Sequence, residues 1–149
     1  MSHIRVAALV TVLAAILAAC GSGGASSQKQ FVNAADLVCY RAETALGPSP
    51  KSIKNLPSFG REVAADLKIY VKELHELSAV KVPSQDRADY SALLRALSTE
   101  NELLREAIPP LLANKLDEAR QFSSSVSPAA LAVYNQESKL GLLVCEKSA

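Results

Sequence analysis

The chain has 149 residues, 49% of them hydrophobic and 21% charged, which is enough apolar material for one globular core beyond a leader. Aromatics make up 5% and Trp is absent, so the core has to come from Ala, Leu and Val, a composition that favours close-packed helices over a sheet sandwich. The formal charge is +1, and setting aside Arg5, the only Lys or Arg ahead of Cys20, leaves basic and acidic residues balanced, which excludes a phosphate-driven nucleic-acid binder.

The first element is a leader. Met1 to Arg5 is a small cationic start, and Val6 to Ile16 is an uninterrupted apolar run that ends in small residues and Cys20, the tripartite order of an export signal. The run is too short to span a bilayer. Leu17-Ala18-Ala19-Cys20 resembles the lipobox of bacterial lipoprotein precursors at each position. That resemblance implies cleavage before Cys20, a lipid on its sulfur, and attachment to the outer face of a membrane. With Gly rather than Asp at position 21, it also implies the outer membrane where the cell has two. Acyl chains contribute about 0.8 kcal/mol per buried CH₂, so two or more hold a protein on a bilayer without a spanning helix. Residues 1–19 are thus read as signal peptide and 20–28 as lipidated Cys plus tether, because Gly21 to Ser27 offers no apolar face. Such a tether reaches on the order of 15 Å. Residues 29–149 form the domain.

Assigning Cys20 to lipid leaves Cys39 and Cys145, and an oxidising compartment permits them to pair. We predict that disulfide. Metal binding by the two is the rival, but there is no C-x-x-C spacing and His75 is the only histidine past the leader.

The first helix is expected to open on a capping box, Ser27-x-x-Gln30, and to carry Phe31, Ala35, Val38, Ala42 and Leu46 on one stripe until Gly47-Pro48-Ser49-Pro50 stops it. A loop follows to Pro57. The second helix places Phe59, Val63, Leu67, Tyr70, Leu74 and Leu77 on one face, with Glu73 and the other charges mostly elsewhere. Lys81-Val82-Pro83 ends that region, and Ser84 is the expected cap of a third helix carrying Tyr90, Leu93, Leu94, Leu97, Leu104 and Ile108. Pro109-Pro110 should break or kink it. Asn114 to Asp117 reads as a fresh start, leading to Leu116, Ala119 and Phe122, and Ser127-Pro128 as another. The last quarter is therefore two short helices or one kinked helix, ending near Gly141. The fold class is all-α, an up-down bundle of about four helices stapled by one disulfide. The mature part loosely resembles small Ala-rich helical exported bacterial proteins with one Cys in the first helix and one after a terminal Leu-Gly-Leu, here Leu140-Gly141-Leu142 before Cys145. That resemblance implies no assigned activity.

No catalytic constellation stands out. His75 falls on the charged side of the second helix and has no partner to make it a general base. Ser123, Ser124, Ser125 and Ser127 read as loop and cap, without a G-x-S-x-G setting. No Glu has a His three residues on, which sets aside a di-iron bundle, and no C-x-x-C-H or mature Met offers haem ligation. Glu100, Glu102 and Glu106 read as a solvated acidic face, and Asp117-Glu118 as charges suited to a helix start. No cofactor is expected. The expectation is a non-enzymatic, membrane-anchored binding or scaffolding module outside the cytoplasm, its partners the membrane and an envelope protein or polymer. The alternative is a carrier holding an apolar molecule or lipid between its helices.

Overall fold

The computed structural model describes residues 27–48 and 55–145, apart from the side chain of Ser123. Cys20, the lipobox and the tether up to residue 26 lie outside the described residues. Four helices follow one another: α1 at 27–46, α2 at Leu56–Ser78, α3 at Arg87–Leu112 and α4 at Leu116–Leu140, with a short 3-10 turn at Ser84–Asp86. Among the described residues there is no strand, and no helix is long and apolar enough to cross a membrane. The architecture is the expected all-α bundle.

Helix α1 holds its stripe as the spacing predicts. Phe31, Ala35, Val38 and Ala42 are buried and Leu46 is half-buried at its last turn. Ser27, the first described residue, is already helical, so the expected capping box falls at the edge of the described residues. Gly47 ends α1 in the left-handed region at φ +70°, its N–H bonded to Glu43 O.

Helix α2 starts earlier than the spacing of its stripe suggests. Asn55 caps it by accepting from Ser58 N, while Ser58 Oγ reaches back to the Asn55 backbone, a reciprocal box just ahead of the apolar residues. The early start brings Gly60 into a buried crossing with α3. A Cβ at this position would lie 2.9 Å from Leu111 Cβ and 3.1 Å from Leu112 N. Gly60→Ala sets about 1 kcal/mol of helix propensity against about 1–3 kcal/mol of overpacking on a rigid backbone. The expected result is a net loss of about 1 kcal/mol in chemical denaturation. A stabilised variant would show that the two helices part freely.

Ser84 opens the 3-10 turn rather than capping α3, which begins at Arg87 behind Asp86. Nor do Pro109 and Pro110 break α3, which carries through both to Leu112. The helix-ladder carbonyls that lose a donor belong to Arg105 and Glu106, both on exposed residues where water can replace it. Asn114, at φ 57°, then ends the helix: Lys115 N–H bonds Pro110 O at 2.9 Å and Asn114 N–H bonds Leu111 O at 3.1 Å, a Schellman arrangement. A three-residue link suffices to reverse the chain.

Helix α4 is one bent helix with Pro128 inside it. The serine run therefore lies within a helix, not in a loop and a cap. Ser124 and Ser125 donate back to Gln121 O, which keeps their hydroxyls on the helix's own backbone. Leu116, expected on a buried stripe, is 47% exposed because it sits at the tip of the α3–α4 turn. Gly141 stops α4 at φ +72°, and Leu142 N–H bonds Glu137 O at 3.0 Å.

The helices run antiparallel. Lys139 near the end of α4 pairs with Asp89 at the start of α3 at 2.7 Å, and Arg41 of α1 pairs with Glu76 of α2 at 2.8 Å. Both pairs are largely exposed and stabilise little. The core lies between α1 and the lower halves of the other helices, where Phe31, Leu77, Leu93 and Leu142 are fully buried. Tyr90 joins two layers: its ring meets Phe31 edge-on at 5.2 Å and its hydroxyl donates to Leu77 O, an end carbonyl of α2, at 2.8 Å. Burial pushes its phenol well above the usual tyrosine range. The terminal segment then folds back on α1, with Val144 N–H bonded to Asp36 Oδ1 at 3.2 Å and Cys145 joined to Cys39.

Candidate functional site

The last turn of α1 comes level with the middle of the other three helices. There Ala42, Glu43 and Leu46 of α1 face Tyr70 and Glu73 of α2, Leu97, Glu100 and Asn101 of α3, and Val133 and Glu137 of α4. They line a half-open cleft of about 90 Å³, closed on one side by Cys145. Four elements therefore contribute a carboxylate each.

Local sequence explains how the acids come to point inward. Asn101 follows Leu97 by four residues and precedes Leu104 by three; Glu137 stands in the same relation to Val133 and Leu140. Glu73 lies three after Tyr70 and four before Leu77. Each polar side chain thus occupies a position in phase with the apolar stripe of its own helix. The outcome is Asn101 at 6% exposure and Glu137 at 4%, the two polar residues buried alongside the apolar core.

Burial sets the electrostatics. Glu73 is pushed up to about 7, first by desolvation and then by Glu137, Glu100 and Glu76. Burial raises Glu100 as well, and raises the phenol of Tyr70 with the help of Asp66, Glu100 and Glu73. Among the described residues no Lys or Arg lines the cleft. The Nδ2 of Asn101 is buried without a hydrogen-bond partner, an unmet donor worth about 1–3 kcal/mol in lost solvation. The cleft therefore combines concentrated negative charge with one vacant donor and a floor of Ala42, Leu46, Leu97 and Val133.

The residues singled out in the sequence fall differently. Cys39 and Cys145 are joined, their Cα atoms 5.1 Å apart across 106 residues of chain. His75 is exposed, away from the cleft. Glu102 and Glu106 are exposed as expected, but Glu100 is not part of a solvated face: it lines the cleft, three residues after the half-buried Leu97 and one before the buried Asn101. Glu73, Asn101 and Glu137 escaped sequence reasoning, although their place on the apolar stripes was a readable signal. Among the described residues no three His, Cys, Asp or Glu side chains converge closely enough to hold a metal ion.

No protein-family model matches the chain, and neither a curated protein nor a solved structure is significantly similar to it.

Proposed function

We propose that this chain is a lipid-anchored module of the cell envelope that works by binding, with the cleft among Glu73, Glu100, Asn101 and Glu137 as its binding site. The observation that carries the reading is the buried Cys39–Cys145 disulfide. A single staple between the two cysteines that remain once Cys20 is given to lipid suits an exported protein in an oxidising compartment. The lipobox-like Leu17-Ala18-Ala19-Cys20 would then place the domain just off a membrane surface, within reach of envelope proteins or polymers. A binding role suits a site whose acids are gathered without a nucleophile and base in sequence. A carrier of apolar cargo ranks second, since the cleft proposed as the binding site is small and acidic.

Fractionation of cells tests the anchor. The wild-type chain is expected to stay with washed membranes in high salt, and Cys20→Ser to move to the soluble fraction. A Cys20→Ser chain that remains on membranes under the same wash would remove the lipid-anchor reading.

A further inference from the structure

We propose that the end of the bundle where α1 begins and α2 turns into α3 is a docking surface for an anionic phospholipid bilayer, an inference that rests on the lipid-anchor reading above. At this end the first turns of α1 and the connection at 79–83 frame an open groove of about 640 Å³. Phe31, Ala34, Val80, Val82 and Pro83 give it an apolar lining, and Lys81 stands exposed on its rim. The rim is held in place. Gln85 Nε2 donates to Gln28 Oε1 at 3.4 Å, and Tyr90 ties down the end of α2 through Leu77 O.

Covalent reach decides which end can meet a membrane. Seven chain steps separate Cys20 from Ser27, so α1 starts within roughly 25 Å of the residue read as lipid-bearing, whatever path the chain takes. Helix α3, with 26 residues, carries the turn at 113–115 about 39 Å away from that end. An inverted bundle would hold the start of α1 farther from the bilayer than the chain extends, which excludes the α3–α4 turn as the contact. Charge points the same way. Lys29 in the first turn of α1, Lys81, and Arg87 at the head of α3 are all exposed, whereas Asp89 is taken by Lys139 at 2.7 Å and Glu76 by Arg41 at 2.8 Å. At the far end Lys115 and Arg120 pair with Glu118 and Asp117. Cations around an apolar groove suit phosphates above acyl chains, because Lys stems lie along apolar surface while the ammonium meets the headgroup. A lipid on Cys20 makes the encounter intramolecular, so a shallow contact is enough.

The chain has no Trp, so a single introduced one reports its own surroundings. The full lipidated chain with Ala79→Trp at the groove is reconstituted in vesicles of phosphatidylcholine brominated high in its acyl chains, with or without phosphatidylglycerol. Val71→Trp and Leu131→Trp on helix flanks and Leu116→Trp at the far turn are the comparisons, all at exposed positions. Bromine is expected to quench the fluorescence of Ala79→Trp and not of the other three, and more strongly with phosphatidylglycerol present. Lys81→Gln should lower the ratio of docked to free domain about fivefold, and the pair Lys81→Gln with Lys29→Gln roughly 25-fold. Circular dichroism melting shows that each variant is folded, and Ala34→Trp, exposed in the same groove, serves if Ala79→Trp is not. The proposal is overturned if the groove position is not quenched, if the flank or far-turn positions are quenched as strongly, if phosphatidylglycerol makes no difference, or if the Lys variants leave quenching unchanged. A wild-type chain that washes off membranes removes the anchor; a chain that stays on them with Ala79→Trp unquenched removes only the docking surface.

Discussion

Replacing Cys39 and Cys145 together with Ala is expected to lower the stability of the domain by about 3–5 kcal/mol, and reduction of the wild-type chain by nearly as much. The magnitude follows from the loop: 106 residues separate the two positions, so the cross-link removes much of the freedom of the unfolded chain. It is also local. Cys39 and Cys145 are both buried, and the segment they tie down supplies Leu142 to the core, Val144 N–H to Asp36, and one wall of the cleft. Loss of the staple should therefore loosen residues 142–145 from α1 before the bundle melts, and hydrogen exchange at Val144 should quicken more than at Leu93. Denaturant midpoints measured with and without reductant give the global term. A double Ala variant within 1 kcal/mol of wild type, by the same measurement, would mean that the helices alone set the stability.

Much of this fold is legible in the sequence because local and tertiary preferences agree. Phe31, Ala35, Val38 and Ala42 recur at helical spacing in a stretch free of Gly and Pro, and their burial needs nothing else. The disulfide is legible because Cys39 and Cys145 are the two cysteines left once the lipobox reading sets Cys20 aside. The misreadings share one cause: a local signal outweighed by packing. Pro109, Pro110 and Pro128 are strong breakers in isolation, yet each sits where the bereft carbonyl can meet water, so a helix clamped by its neighbours carries on. Asn114 reads as a beginning because Asn caps helices well, but its tolerance of positive φ made it an ending. The cleft was the harder case. Charged residues on a helix are expected to face water, and only the phase of Glu73, Asn101 and Glu137 against their own Leu, Val and Tyr neighbours shows that they do not. Which of four helices would bring those phases together depends on where α1 ends, and that is set by Gly47 rather than by any residue of the cleft.

Glu73→Gln should make the domain more stable at pH 8 and leave it nearly unchanged at pH 4.5. Glu73 ionises near 4.5 in an unfolded chain and at about 7 in the fold. Below the lower value the carboxyl is protonated in both states and contributes no difference. As pH rises through the interval the unfolded chain gives up its proton first, so unfolding becomes easier, and the loss is complete once pH passes the folded value. The size is roughly 3 kcal/mol at most, since each pKa unit is worth about 1.4 kcal/mol. Gln cannot ionise, so the variant should escape this loss, retaining the smaller pH dependence that Glu100 imposes. Urea midpoints at pH 4.5 and pH 8 give the answer, and parallel pH profiles for the two proteins would sink the account.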